Sequence, residues 1–254
     1  MTITDRYLET IADGVRRIQR TQGEAIREAG RACARSIADD KLAFTFGTGH
    51  GSFAALECFP RTGTPVGFRP IVESAIATFH HVLGDQGAYQ YRFLHALEGY
   101  GRAILRAHRL DPGDTLLLFS HSGINAVIMD MALRAHEIEM TVVGVTSFPH
   151  SSAVPPRHSS GRRLFEEADI VVDTGVPLRD AAVAVEGLEH PVGPTSTVLA
   201  SAVAHAIVGE TVQELVRLGV DPHVMVNPNT AGKEEANRTN DENYEELWQR
   251  LRMR

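Results

Sequence analysis

Ser120-His121-Ser122-Gly123 interrupts the stretch DTLLLFSHSGINAVIMD, residues 114 to 130, between an apolar run and apolar residues spaced like a helix. Two hydroxyls and an imidazole at that junction can hold an anion. The first N–H groups of a helix have no intrahelical partner, and the helix dipole adds positive potential at the same end. Ser120, Ser122 and Asn125 supply further neutral donors, so no lysine is required. A plainer reading is that Ser122 or Asn125 only caps the helix. One cap needs one hydroxyl, and Gly123 signals a close backbone approach, so the two serines favour a ligand site.

Two further junctions carry similar material. Leu42 to Phe46 runs into Gly47-Thr48-Gly49-His50-Gly51-Ser52, and Pro191-Val192-Gly193-Pro194-Thr195-Ser196-Thr197 precedes a long apolar helical stretch. The third glycine of a dinucleotide-binding GxGxxG would fall at Ser52, and no GxxxxGK[ST] occurs, so neither a nicotinamide cofactor nor a P-loop is indicated. Three hydroxyl-rich helix entrances can converge on one polar, uncharged pocket suited to a phosphate and the hydroxyls of a sugar. No cofactor is called for.

The elements that must position these residues are legible in the apolar pattern. Steps of three and four from Tyr7 to Ile37 mark an amphipathic helix broken near Gly23. Nearly continuous apolar segments at 42–46, 66–72, 115–119, 141–145 and 170–172 read as strands covered on both faces, with helices at 52–59, 89–109, 124–137 and 196–218 between them. That alternation predicts a parallel sheet between helical layers. The last helix, apolar nearly all round, is expected to be deeply buried. From residue 227 the chain turns polar, ending in a short docking helix around Tyr244, Leu247, Trp248 and Leu251. The boundaries are a helical extension at 1–40, the main domain at 41–226 and the polar segment at 227–254.

Composition sets the outer limits. The chain has 254 residues, 43% hydrophobic and 22% charged, with a formal net charge of −7. That balance argues against nucleic acid or an anionic membrane as partner, since either needs a basic face. Two cysteines without a CxxC and a non-apolar N-terminus point to a reducing cytoplasm. No apolar run reaches the ~18 residues of a membrane span.

The motifs FGTGHGS (46–52), FSHSGIN (119–125), VVGVTS (142–147), ADIVVDTGVP (168–177) and GPTST (193–197), in this order, resemble the sugar isomerase (SIS) domain. The N-terminal helix, RHSSGRRL (157–164) and NPNTAGKEEANR (227–238) are similar to a bacterial subgroup of SIS proteins. The resemblance implies a three-layer, flavodoxin-like α/β sandwich with a five-stranded parallel sheet. It also implies phosphosugar binding and dimers or tetramers with sites near subunit contacts. By motif, Ser120, Ser122 and Asn125 would hold the phosphate, with His121 between them; Thr48, His50 and Ser52 would line the first loop, and Ser196 and Thr197 the third. Three features depart from related sequences: Gly51 stands where a serine is usual, His121 replaces a small or amide residue, and PLRD (177–180) replaces a glycine-containing turn.

An aldose–ketose isomerase needs a base to take the proton beside the carbonyl and an acid partner. The candidates are Glu57, Glu73, His80, His81, His158 and His205. Glu57 and His205 are the chosen pair, since both lie a turn or more inside helices that start at the ligand edge. His205 also resembles, in its place after Thr197, a catalytic histidine of the sedoheptulose-phosphate isomerases. Plain readings remain for both, a core histidine and a solvated carboxylate. His80 and His81, adjacent in sequence, make a poor metal pair, and no other ligand cluster is evident. An isomerase, a lyase or etherase with the same enolising base, and a non-catalytic phosphosugar sensor all fit these residues.

Overall fold

A computed structural model describes residues 1–77, 87–230 and 232–253 of the chain. The amphipathic lead-in forms α1 (Ile3–Thr21) and α2 (Gly23–Ala38), separated at Gln22 beside the glycine where the periodicity predicts a break. Thr2 and Asp5 close a capping box on α1. Five strands, β1 (Ala43–Gly47), β2 (Phe68–Pro70), β3 (Thr115–Phe119), β4 (Thr141–Thr146) and β5 (Ile170–Asp173), pair in parallel in the order β2-β1-β3-β4-β5. The intervening helices are α3 (Gly51–Leu56), α4 (Ser74–Ala77), α5 (Gly87–Leu94), α6 (Tyr100–Arg106), α7 (Ala126–Glu137), α8 (Phe148–Ala153) and α9 (Leu164–Glu167). A hairpin of β6 (Ala181–Val183) and β7 (Val192–Pro194) leads into α10 (Ser196–Arg217), and α11 (Lys233–Arg252) ends the chain.

The unbroken apolar strands are explained by two cores. Ala43, Leu117, Phe119, Val143, Val145 and Val172 pack on one face with α2, α3 and α10. Phe44, Phe46, Leu116, Leu118 and Val142 pack on the other with α6 and α7. Every residue of β1 and β3 is buried, so alternation has no solvent side to show.

Several elements differ from the sequence pattern, each for a local reason. The strand read at 66–72 shortens to three residues, an edge strand that tolerates Pro70. The helix read at 89–109 is two helices, because Gly99 takes φ +88° and the buried carboxylate of Asp130 accepts from the N–H groups of Gly99 (2.6 Å) and Gly101 (3.2 Å). The C-terminal helix is longer than expected, starting at Lys233: Asn240 exchanges two hydrogen bonds with the Val226 main chain, and Asn243 donates to the Val224 carbonyl. The asparagines that suggested a loop are tertiary ties. α10 is not buried all round; Leu199, Val203, Ile207 and Leu215 face the core while Val198 and His205 are exposed. His80 and His81 lie outside the described residues.

Both cysteines are reduced and buried. Burial pushes the Cys33 thiol up to about 12 and the Cys58 thiol higher still. Among the described residues no helix is long and apolar enough to cross a membrane.

Asp114 ties the roots of the two central strands together. Fully buried, it accepts from the Leu42 N–H (2.9 Å) before β1 and from the Asp111 N–H (2.7 Å) before β3. Asp114→Ala leaves buried donors without this acceptor and should lower the unfolding free energy by about 2–4 kcal/mol. Urea unfolding followed by circular dichroism checks this; an unshifted midpoint contradicts the assignment.

Candidate functional site

Reversal of strand order between β1 and β3 opens a crevice at the carboxyl ends of these strands, the place where doubly wound sheets take ligands. A cavity of about 210 Å³ sits there, lined by residues of the first loop, the loop after β3, α5 and the start of α10. It is smaller than the roughly 300–1,000 Å³ of drug-sized pockets and suits a small polar metabolite.

The two central loops meet because of glycine. A Cβ on Gly51 would lie 2.4 Å from the carbonyl oxygen of Phe119, so a serine there is excluded by contact with the end of β3. This is the physical reason for the departure noted in the first loop. Ser52, expected to line the pocket, does not. Its hydroxyl donates to the Gly49 carbonyl (2.7 Å) and shares a hydrogen bond with the Ala77 carbonyl (3.1 Å), holding the loop closed. Thr48 and His50 do line the cavity. Gly123 sits at φ +62°, where a Cβ would approach Thr146 Oγ1 to 2.8 Å.

Ser120, His121, Ser122 and Asn125 all line the cavity at the N-terminus of α7. The cap-only reading does not hold for Asn125: its side chain makes no capping bond, and its Oδ1 accepts from Arg157 at 3.3 Å. Ser120 Oγ accepts from the Gly123 N–H (3.1 Å), which shapes the loop. Opposite, Ser196 and Thr197 line the wall, but the N-terminus of α10 is already occupied. Asp180 accepts from the N–H groups of Thr195 (2.9 Å) and Ser196 (2.7 Å) and from the Ser196 hydroxyl (2.7 Å). Burial raises the Asp180 carboxyl, but these three bonds and the nearby His121 outweigh it and hold it below its ordinary range.

His121 stands edge-on to His150, with ring centroids 4.4 Å apart. Both nitrogens of His121 and Nδ1 of His150 are buried with no hydrogen-bond partner. Burial, helped by His150 and opposed by Asp180, pushes His121 down to about 4. Tyr91, from α5, completes the lining; burial raises its phenol, against a hydrogen bond with Thr48.

Glu57 and His205 meet, with Oε2 and Nε2 3.0 Å apart, where α3 crosses α10. Neither is among the residues that line the cavity, and their side chains are 31% and 44% exposed. The expectation of a buried His205 is thus corrected: it sits on the outward side of α10, against Glu57 at the end of α3, a helix whose Phe53 and Leu56 are themselves exposed. Arg61 also pairs with Glu57, at 2.7 Å. Glu73 lies at the base of α4, its Oε1 accepting from the Ala75 N–H, and His158 faces Asp130 and Glu98 rather than the cavity. Tyr91, Asp180, Thr174 and His150 were not singled out by type and spacing. Asp180 alone carried a signal, in the unusual turn at 177–180.

A parallel sheet in this order, with a hydroxyl-lined cavity at its switch point, defines the class. The SIS domain profile matches residues 6–147, and the chain belongs to the SIS domain family. Within it, the chain is 34% identical to a UPF0309 protein of Shouchella clausii over 91% of this chain and 92% of that one, and 32% identical to a UPF0309 protein of Oceanobacillus iheyensis over 97% and 98%. Among solved structures, a phosphoheptose isomerase from Francisella tularensis superposes with a TM-score of 0.53 at 17% identity, covering 84% of this chain and 100% of that one. The Vibrio vulnificus NanR protein complexed with ManNAc-6P gives 0.50 at 12% identity, over 94% and 68%. These similarities to solved structures are of fold.

The buried imidazole makes stability depend on pH. His121 titrates at about 4 when folded against 6.5 as a free group, so the unfolded chain binds more protons between those values. Stability contributed by the neutral ring is present above about pH 6.5 and is lost as pH falls toward 4. His121→Asn should flatten that acid limb of a melting-temperature profile; an unchanged slope removes His121 as its source.

Proposed function

We propose that this chain binds a phosphorylated sugar in the cavity between β1 and β3 and interconverts its aldose and ketose forms. One observation supports the reading above others: Ser120, Ser122 and Asn125 converge on one cavity at the N-terminus of α7. Helix N–H groups and hydroxyls there suit a phosphoryl group, and Thr48, Tyr91 and Asp180 offer partners for sugar hydroxyls. The loops after β1 and β3 come from opposite sides of the switch point, so ligand binding bridges them.

In this reading the Glu57–His205 pair moves the proton. Its carboxylate takes the proton from the carbon beside the carbonyl while His205 gives one to the carbonyl oxygen, so that the C–H electrons form the enediol double bond as the carbonyl π pair becomes an O–H bond; loss of the neighbouring hydroxyl's proton to His205 then returns the first proton one carbon along. Because the pair stands on an outward surface with Phe53, Leu56 and Val198, a second copy of the chain covers this face and brings the pair against a sugar; a symmetric homodimer is the simplest such assembly. A tetramer extends the same principle. The two reduced, buried thiols are consistent with work in the cytoplasm. The position of Glu57 and His205 outside the cavity of a single chain favours, as the second reading, a phosphosugar sensor without catalysis. A lyase or etherase would use the same base.

Ser122→Ala should weaken binding of hexose or heptose phosphates about tenfold or more, since a hydrogen bond to a charged group contributes roughly 1.5–3 kcal/mol. Titration calorimetry measures this, and unchanged affinity refutes the phosphate assignment. Glu57→Gln should keep ligand binding and reduce solvent exchange of the proton beside the carbonyl by about 10²-fold or more, as read by NMR in D₂O. Binding without exchange in the parent protein selects the sensor. Sedimentation should show an oligomer at micromolar concentration that Val198→Glu dissociates; a monomeric parent protein rejects the assembly.

A further inference from the structure

The proposed cavity must accept an anion although its own wall carries one. Among the described lining residues Asp180 is the acidic side chain, and neither lysine nor arginine is present. Arg157 reaches Asn125 from outside the lining. A phosphoryl group brings about −1.5 to −2 charges at pH 7. Helix N–H groups and hydroxyls offset part of that charge, but they do not change with the ligand's arrival.

His121 is placed to respond. Its ring lies in the lining between the two serines, with both nitrogens buried and neither partnered by protein. Buried polar atoms left in this way call for a partner from a ligand or solvent. The main chain that carries the ring is also fixed in place. The His121 carbonyl accepts from the Ser147 N–H (3.0 Å) and from Thr146 Oγ1 (3.2 Å), and the ring is braced by His150 at an interplanar angle of 72°.

We propose that His121 takes up a proton when a phosphoryl group enters the Ser120–Asn125 loop, so that the ligand and one proton bind together. This rests on the phosphosugar reading of the same cavity. The proton comes from solvent and adds to the free lone pair of the imidazole; no bond in the ligand is broken. The groups around the ring set the balance. Asp180, before β6, favours the charged ring, while His150 on α8 opposes it. Arg157, which follows α8, acts on His150 in the same opposing sense, and His50 and Tyr91 face the cavity from the first loop and α5. In the empty site burial keeps the ring neutral at pH 7, and the incoming negative charge reverses that.

The sign follows from linkage. Because the complex holds the extra proton, affinity for a fully ionised anion should fall as pH rises, by up to about tenfold per pH unit between the ring's free and bound pKa values. Inorganic sulfate is the probe, since it remains a dianion throughout this range and any proton taken up belongs to the protein. Calorimetry of sulfate binding at pH 7 in Tris and in Pipes should differ in heat by the amount expected for about one proton per anion. His121→Asn should remove that difference, whereas His150→Asn should retain it. Heat independent of buffer in the parent protein, uptake unchanged in His121→Asn, or uptake lost only in His150→Asn each overturns the proposal. A second reading needs no substitution: in ¹⁵N-histidine-labelled protein, one ring should move from neutral to imidazolium shifts on saturation with sulfate, and no such movement also overturns it. Failure of the wider reading looks different. If sulfate, phosphate and hexose phosphates all fail to bind, the anion site itself is wrong; if they bind in a Ser122-dependent way without proton uptake, only the role of His121 is.

Discussion

Everything at the ligand edge depends on how closely the first loop approaches the end of β3. Gly51 lies against the Phe119 carbonyl with no room for a side chain, and Gly47 is equally tight against the backbone at Gly51 and Ser52. Contact at that distance brings Thr48 and His50 into the same cavity as Ser120 and Ser122. Ser52 serves this contact from within: its bonds to the Gly49 and Ala77 carbonyls hold the loop shut and connect it to α4. The sheet contributes by being buried on both faces, which leaves its strand ends as the place where polar chemistry can collect.

Two helix entrances face this cavity and have opposite characters. At α10 the chain's own carboxylate, Asp180, satisfies the N–H groups of Thr195 and Ser196 and engages the Ser196 hydroxyl. At α7 no side-chain cap comes from Asn125, and the neighbouring hydroxyls face the cavity. One end of the cavity is therefore an acceptor and the other a donor. A ligand with an anionic terminus and a run of hydroxyls matches that polarity in one orientation.

The sheet could be read from sequence because its strands are short, apolar and separated by helical periodicity, and because Gly-rich and hydroxyl-rich segments follow β1 and β3. Ser120, Ser122, Asn125, Thr48 and His50 were accessible for the same reason: each stands next to a strand end whose direction is known. Tyr91, in the lining, and His150, packed behind His121, were not, since they come from helices whose placement depends on tertiary crossing. Burial of α10 was overread because an all-apolar face looks the same whether the sheet or solvent lies against it. Glu57 and His205 illustrate the limit well. Their meeting followed from helix starts at one edge, but the surface on which they meet followed from rotation about the helix axes, which spacing alone does not set.

The last helix bears on how the protein survives synthesis. α11 is pinned by Asn240 and Asn243 to the segment at 224–226, and the buried guanidinium of Arg250 donates to the Ile37 carbonyl at the end of α2. Trp248 and Leu251 share a groove with Arg69 of β2, the outermost strand on that side of the sheet. An uncovered outer strand offers its backbone to any neighbouring chain. A chain that ends before residue 233 would keep its cavity-forming loops and lose the helix that shares this groove with β2, so self-association through that flank, and not loss of the cavity, is the failure its missing helix would bring.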